Sequence, residues 1–292
     1  MRIDLHTHSK ASDGYQSPTD LVSLAAHAGL DVFALTDHDS ASGWVEAAEA
    51  AHDEGISLVR GMEISTKWEG AGVHLLAYLL DPTYEPLAAE LSLVLEGRDS
   101  RLELIVDQLS ANGLDLTVAE VQEQAGAAAA IGRPHIADVM VAKGMVANRD
   151  EAFARWLDIG TPGYVERYAT SVDEMIGLVN AAGGVAVIAH PWSRESRRVL
   201  TAQTVAHLKD CGLAGIEVDH YDHDRGDRQR LRALATELDL IVTGSSDYHG
   251  AGRTNDHLGC NLTADNQLER LLATAADNAK RSGRRTPQVV GR

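Results

Sequence analysis

Short apolar segments alternate with amphipathic helical segments over the first eighty residues of the chain. Ile3 to Leu5 and Val32 to Thr36 have the length and content of buried strands, while the residues between them follow a helical period. Ser17 followed by Pro18 is typical of a helix start, because serine caps the first turn and proline fits it. This β-α-β-α order predicts an α/β fold with a mainly parallel sheet, either open or closed into a barrel.

The alternation stops at Asp81-Pro82. From Glu85 to about Asn112 the chain has one long helical pattern, in which Gly97 is a candidate break, and shorter helical patterns follow it. We therefore predict that residues 82–161 form a small all-helical insertion domain.

The strand and helix alternation resumes after the insertion and continues to a last helix near the end of the chain. Residues 1–81 and 162–279 are accordingly predicted to form one discontinuous, barrel-like catalytic domain. The remaining residues, 280–292, are rich in arginine and are predicted to be a basic, solvated C-terminal tail.

Composition limits the partners that this chain can have. Hydrophobic residues make up 44% of it, enough for a large core, and its formal net charge is −17. Such a surface repels polyphosphates, so we expect no duplex nucleic acid partner. A small anionic substrate remains compatible with this charge, because bound metal ions reverse the local field.

The expected compartment is the cytoplasm. The chain has two cysteines outside any CxxC pair, which are expected to be reduced, and its first residues lack the pattern of a signal peptide. No apolar run approaches the length of a membrane span, so we expect no membrane association.

Residues of the kind that bind metals cluster after the predicted strands. His6 and His8 follow the first strand, Asp37-His38-Asp39 follows the second, and similar residues follow or begin four others. In barrels of this type the loops at one end converge, so these residues are expected to share one site. Each could separately be a turn or core residue, but their joint occurrence at strand ends favours a metal site.

Several segments together resemble the polymerase-and-histidinol-phosphatase (PHP) family of metallophosphoesterases. The matching segments span most of the chain and are Asp4-Leu5-His6-Thr7-His8-Ser9, Thr36-Asp37-His38-Asp39, Gly61-Met62-Glu63, Val73-His74, Ala189-His190-Pro191 and Ser246-Asp247-Tyr248-His249. The resemblance implies a distorted, TIM-like barrel of about seven strands and a cluster of three divalent metal ions.

The ligand set follows from the same resemblance. It implies that the first metal is held by His6, His8, Glu63 and Asp247, the second by Glu63, His74 and His190, and the third by Asp13, His38 and His249. Mixed imidazole and carboxylate ligands suit manganese, iron or zinc, and we favour manganese. His249 is also a candidate catalytic acid, and Asp37, predicted as a second catalytic residue, is expected to orient the ligand loop together with Asp39.

The insertion suggests which phosphate esters are substrates. Arg133 and His135 lie at a predicted helix start, where backbone N–H groups and the helix dipole attract anions. The segment resembles the insertion of the PHP subgroup that acts on nucleoside 3′,5′-bisphosphates and short RNA. We therefore expect Arg133 and His135 to bind a substrate phosphate, and a small nucleotide or short single-stranded RNA to be the substrate.

Two alternatives stay open. A histidinol-phosphate phosphatase would have the same metal cluster, and a non-catalytic, metal-binding regulatory module would keep the ligands without the reaction. One segment also departs from the family: His223 stands in an acidic run where relatives have an aromatic residue and a proline before the histidine, so its role is left unassigned.

Overall fold

The computed structural model describes residues 1–193, 195–250 and 257–291. Its single mixed sheet follows the strand order β1-β2-β3-β4-β6-β7-β8, with β5 paired to β3 outside this path. The strands are β1 (Ile3–Asp4), β2 (Val32–Leu35), β3 (Ser57–Trp68), β4 (Ala71–Tyr78), β5 (Thr170–Ser171), β6 (Val185–Ile188), β7 (Gly215–Asp219) and β8 (Ile241–Gly244).

The sheet curls into a nearly closed barrel. A parallel bridge between Thr7 and Tyr248 connects the segment after β1 to the segment after β8. The Thr263 N–H also donates to the Ile3 carbonyl, 2.9 Å away, next to the same junction. The predicted distorted barrel of about seven strands is therefore confirmed.

The direction of two strand pairings differs from the expectation of a mainly parallel sheet. β3 and β4 form a long antiparallel hairpin, and β4 pairs antiparallel with β6, whereas β1-β2-β3 and β6-β7-β8 are parallel. The hairpin is possible because Glu69 and Gly70, both at positive φ, reverse the chain between the two strands. Without a helix between them, the two strands can only run in opposite directions.

Helices surround the barrel and fill the predicted insertion. They are α1 (Pro18–His27), α2 (Trp44–Glu54), α3 (Glu85–Ala111), α4 (Val118–Ala125), α5 (Arg133–Ala142), α6 (Arg149–Ala152), α7 (Val172–Ala181), α8 (Ser196–Val199), α9 (Ala202–Asp210), α10 (Arg225–Glu237) and α11 (Asp265–Ser282), and α6 continues into a π-helical turn, Phe153–Leu157. Among the described helices none is long and apolar enough to cross a bilayer.

Both faces of the sheet are buried. Within β2, Phe33 and Leu35 belong to the cluster formed with the surrounding helices, whereas Val32 and Ala34 belong to a second cluster with residues of α11. Successive residues of a strand point to opposite faces, so this division requires apolar residues at every position. That explains why the parallel strands read as continuous apolar runs.

The helices of residues 85–157 have a core of their own, built around Leu109, Val121 and Met140. α3 connects this core to the barrel, because Leu87 packs in the barrel cluster and Leu109 in the helical one. The division of the chain into domains stays a prediction.

Gly97, a candidate break in the sequence, does not interrupt α3. The helix continues through this position from Glu85 to Ala111. A Cβ atom at Gly97 would lie 3.0 Å from the Cβ atom of Tyr168. Gly97 therefore permits the close approach of another chain segment to an unbroken helix.

The C-terminal tail contacts the barrel, although its residues stay partly or fully exposed. Arg284 forms an ion pair with Asp81, 2.9 Å apart, and its guanidinium lies over the ring of Tyr84. Further along, Leu58 and Val290 exchange two backbone hydrogen bonds of 3.0 and 3.1 Å. Residue 292 lies outside the described residues.

Candidate metal centre

The structure brings all nine predicted ligand residues together at one end of the barrel. They form three groups, within each of which the candidate ligand atoms all lie within 4.8 Å of one another. The groups are His6, His8, Glu63 and Asp247; Glu63, His74 and His190; and His8, Asp13, His38 and His249. The arrangement matches the implied ligand sets, except that His8 also reaches the group around Asp13.

Backbone geometry at the strand ends turns several of these side chains into the site. His190 lies two residues after the end of β6 with a φ of 27°, and Asp247 lies after β8 with a φ of 50°. Left-handed conformations of this kind cost residues other than glycine roughly 1–3 kcal/mol each and tend to occur at functional sites. The fold tolerates this cost where the turn aims a ligand atom inward.

Glu63 and His74 occupy different positions from those expected. Both were placed next to strand ends, but Glu63 lies inside β3 and His74 inside β4. Glu63 is nevertheless next to the second strand end, because its N–H donates to the carbonyls of Thr36 and Asp37. The long hairpin thus extends past the barrel rim and presents both side chains to the cluster.

Glu63 lies at the centre of the cluster, with each carboxylate oxygen facing different histidines. Its Oε1 is 2.7 Å from His74 Nδ1 and 3.0 Å from His190 Nε2. Its Oε2 is 3.3 Å from His6 Nε2 and 3.2 Å from His8 Nε2. A carboxylate with its two oxygens in two groups has the geometry of a bridging ligand.

The donor atoms converge without forming a normal hydrogen-bond network. His6 Nε2 and His8 Nε2 face each other at 3.0 Å, and Asp247 Oδ1 is 3.3 Å from both. Even so, Asp247 Oδ1 and His8 Nδ1 are buried without a hydrogen-bond partner among the described residues. Buried polar atoms are normally hydrogen-bonded. Imidazole nitrogens and carboxylate oxygens that converge without such partners are therefore suited to binding divalent cations.

Electrostatics keeps the carboxylates of the cluster ionised. Burial alone would raise the pKa of Glu63, but His74, His38 and His6 outweigh it and hold this pKa well below 4.5. The pKa of Asp247 is likewise well below 3.8, since His6 and His249 overcome the effect of its burial. Metal ions require the anionic form of such ligands, which the site provides.

Asp37 is fully buried under the ligand loop. It accepts hydrogen bonds from the Ser9 N–H at 2.8 Å, the Ser9 hydroxyl at 2.7 Å and the Ser12 hydroxyl at 2.6 Å. These contacts hold the loop that presents Asp13, which agrees with an orienting role. The catalytic role of Asp37 stays a prediction.

Asp39 connects the ligand loop to the helical segment. It accepts hydrogen bonds from the Ser65 N–H at 2.6 Å and from Arg98 Nε at 2.7 Å. His249, the other predicted catalytic residue, lines the cavity with its Nε2 3.3 Å from Asp13 Oδ1. Its role as an acid also stays a prediction.

Sequence reasoning missed Glu217, which supports the cluster from below. This fully buried residue of β7 lies 3.2 Å from His6 Nδ1 and accepts hydrogen bonds from the His190 N–H and the Ser245 hydroxyl. A carboxylate on Nδ1 leaves Nε2 of His6 to face the cluster. The available signal was one acidic residue inside an otherwise apolar strand, Gly215-Ile216-Glu217-Val218.

The two histidines of the acidic run after β7, His220 and His223, have different surroundings. His220 lies beside His190, with ring centroids 5.0 Å apart and ring planes tilted by 47°, and its Nε2 is 3.4 Å from Asp247 Oδ2. His223 is buried instead, with hydrogen bonds to the Val218 carbonyl and the Trp192 N–H. His223 therefore joins two loops, whereas His220 adjoins the metal ligands.

The metal cluster opens into one large cavity of about 900 Å³ that extends to the helical segment. Arg133 lines it, donates to the Leu157 carbonyl at 2.9 Å and lies 3.7 Å from Asp158. His135 is buried and accepts a hydrogen bond from the Gly132 N–H at 3.1 Å. Phosphate binding by both residues stays a prediction.

Comparison with known proteins identifies the family. The PHP domain model matches residues 4–158. This chain belongs to the PHP family. The chain is 34% identical to a 3′,5′-nucleoside bisphosphate phosphatase of Chromobacterium violaceum over 88% of this chain and 90% of the relative. It is 36% identical to a 5′-3′ exoribonuclease of Haemophilus influenzae over 85% of this chain and 90% of the relative.

A solved structure supports the same assignment for this PHP protein. A Bifidobacterium adolescentis protein, provisionally described as a metal-dependent phosphoesterase, superposes with a TM-score of 0.88 and 37% identity. The match covers 93% of this chain and 96% of that one. The predicted PHP-family phosphoesterase is confirmed, and its buried His/Asp/Glu cluster is able to hold metal ions.

Proposed function

We propose that this PHP protein hydrolyses the 3′-phosphate of nucleoside 3′,5′-bisphosphates with three divalent ions, of which manganese fits best. The main support for this proposal is the combination of ligands and cavity. The three ligand groups are connected through Glu63 and His8, and they open into a cavity large enough for a nucleotide. The names of the relatives direct the choice of substrate toward nucleotides. Histidinol phosphate, which gives the helical wall of the cavity no role, is disfavoured.

Bound ions at this site would activate water and stabilise charge on the phosphoryl oxygens. The protein's own residues orient the reacting groups. Glu63 fixes the relative positions of the ligand groups, and Glu217 fixes the ring of His6. The proton of the leaving group is proposed to come either from His249, which lines the cavity beside Asp13, or from a water when the ring of His249 binds the third ion.

Arg133 and His135 are proposed to act on the substrate phosphate in different ways. Arg133 reaches the cavity wall at the start of α5 and can neutralise phosphate oxygens. His135 is proposed to position this helix start, because its ring accepts the Gly132 N–H. Short single-stranded RNA is a second candidate substrate, favoured by the similarity to a named 5′-3′ exoribonuclease.

The test is phosphate release by protein with measured metal content. We expect adenosine 3′,5′-bisphosphate to be hydrolysed faster than histidinol phosphate, and His8→Ala to abolish turnover and lower the metal content without unfolding the chain. Arg133→Ala should retain the metals and chiefly raise KM. Faster hydrolysis of histidinol phosphate would contradict the proposal, as would inactivity of metal-loaded protein on every phosphoester.

A further inference from the structure

One wall of the cavity has a concentration of arginines that the metal centre does not use. Arg98 and Arg101 come from α3, Arg133 from the start of α5, and Arg167 from the segment before β5. The chain as a whole has a net charge of −17, so four cations on one wall oppose its overall trend. Because they come from three chain segments, the fold itself brings them together.

Only part of this positive charge is compensated within the protein. Arg98 is 2.7 Å from Asp39, and Arg133 is 3.7 Å from Asp158. Among the described residues, no carboxylate forms an ion pair with Arg101 or Arg167. Arg101 Nε and Arg167 Nη1 are also buried without a hydrogen-bond partner in the described part of the chain.

The unpaired guanidiniums are electrostatically unfavourable in the free protein. Burial and the repulsion of neighbouring arginines lower the pKa of both Arg101 and Arg167 to about 9, although Asp39, the partner of Arg98, also attracts Arg167. The ring of Tyr164, 5.5 Å from Arg101, is a weaker partner than a carboxylate. Buried charges are normally paired, so an uncompensated pair at a cavity wall is typical of a binding site.

We infer that Arg101 and Arg167 form a second anion subsite, which binds a phosphomonoester of the substrate other than the one hydrolysed. This inference rests on the proposed function. Guanidinium groups bind phosphate through paired charge-assisted hydrogen bonds, which supplies the missing partners. The subsite makes the enzyme selective for substrates with two phosphates, since a monophosphate leaves the arginines unpaired.

Two kinds of substrate carry such a second phosphomonoester: a free nucleoside bisphosphate and the 5′-phosphorylated end of an RNA. Both place one phosphomonoester away from the bond that is broken. The subsite is proposed for this shared group, and the substrates used in the test separate the sources.

The first experiment compares kcat/KM for adenosine 3′,5′-bisphosphate and adenosine 3′-monophosphate, using wild type, Arg101→Gln and Arg167→Gln. Wild type should prefer the bisphosphate, and each variant should reduce this preference at least about tenfold, which corresponds to about 1.4 kcal/mol. Arg155→Gln is the matched control, because Arg155 is an exposed cation of the same helical segment, paired with Glu151. An unchanged preference in both cavity variants would overturn the subsite.

RNA ends provide the second comparison. Wild type should degrade a short oligoribonucleotide with a 5′-phosphate faster than the same RNA with a 5′-hydroxyl. If this difference disappears in Arg167→Gln, the subsite accepts RNA ends. If only the bisphosphate preference falls, the subsite accepts the free nucleotide. If neither changes, the subsite is disproved.

Two readouts independent of turnover separate binding from structure. Calorimetry should show that adenosine 5′-monophosphate binds at least about tenfold more weakly to the cavity variants than to wild type. Their unfolding temperatures should equal or exceed that of wild type, since each substitution relieves repulsion. A structural role would instead lower them by several degrees, which would contradict the inference. If no nucleotide were hydrolysed at all, the proposed function would fail, while the calorimetry would still decide about the subsite.

Discussion

At the scale of single residues, the metal centre depends on side chains that orient the ligands as well as on the ligands. Glu217 contacts His6 Nδ1 and the His190 N–H, so one carboxylate fixes residues of two ligand groups. Asp4 accepts hydrogen bonds from the N–H groups of Ser246 and Gly259, so it holds the segments that precede Asp247 and follow His249. Burial raises the pKa of Asp4 to about 6, because this carboxylate is removed from solvent.

Glu217→Gln should weaken metal binding while leaving the ligands in place. Loss of a partner behind a metal-bound histidine typically lowers metal affinity roughly 10- to 100-fold. Metal content after dialysis against a weak chelator measures this effect, with Glu237→Gln on the exposed end of α10 as the matched control. Equal metal retention by the two variants would show that Glu217 does not orient His6.

Metal binding should also depend on pH through His8. Burial lowers the pKa of His8, but Asp247 and Glu63 outweigh it and raise this pKa to about 9. Below that pH the ring holds a proton, which a metal ion must displace. The apparent metal affinity should therefore rise with pH up to about 9 and fall by up to roughly tenfold per pH unit below it.

Calorimetric titrations in buffers of different ionisation enthalpy measure this proton release directly. The exposed histidine variant His52→Ala should behave as wild type does. A metal affinity that stays constant over the same pH range would contradict a protonated His8.

At the scale of elements, the helical segment is attached to the ligand loop as well as to the barrel. Arg149 forms a bidentate ion pair with Asp138 of α5, with both distances 2.5 Å, and its guanidinium lies 4.6 Å over the ring of Tyr15. Tyr15 in turn donates its N–H to the His249 carbonyl at 2.9 Å. These contacts therefore link α5 to the loops that hold the ligands.

Arg149→Gln should destabilise the protein by about 2–3 kcal/mol, because it leaves Asp138 mostly buried and without its cation. The double variant Asp138→Asn/Arg149→Gln should recover part of this loss, since no uncompensated charge remains. Urea unfolding measures both values. Arg155→Gln, which breaks an exposed ion pair, should cost no more than about 1 kcal/mol. Equal losses for the single and the double variant would exclude a charge effect.

At the scale of the whole molecule, the C-terminal tail packs against the barrel. The tail follows α11 and returns to the start of β3, where Gly291 has a φ of 88° and lies against Ile56. A Cβ atom there would be 2.5 Å from the Ile56 carbonyl, so glycine is required by this close approach. The tail thus covers backbone groups near the barrel rim opposite the site.

A chain ending at Ser282 should be less stable than the full chain by about 1–3 kcal/mol, because it loses the Arg284–Asp81 ion pair and the backbone hydrogen bonds to Leu58. Thermal unfolding with metal present measures the difference. Arg285→Ala, an exposed tail position, is the control and should change stability by less than about 0.5 kcal/mol. An unchanged unfolding temperature in the truncated chain would support the prediction of a solvated tail.

The sequence by itself predicted most strands and helices and, through its resemblance to the PHP family, the candidate ligand residues. These features are local: apolar periodicity specifies an element, and imidazole and carboxylate side chains after a strand specify metal chemistry. His6, His8 and His38 were candidates on this ground because each lies shortly after a short buried strand.

The tertiary structure decided the features that depend on contacts between distant segments. Glu63 and His74 enter the cluster from within an antiparallel hairpin, and Glu217 supports it from another strand. The convergence of Arg101 and Arg167 likewise appears only when α3 packs against the segment before β5. No local pattern encodes such encounters, because strand direction and the partners of a buried charge are set by long-range packing.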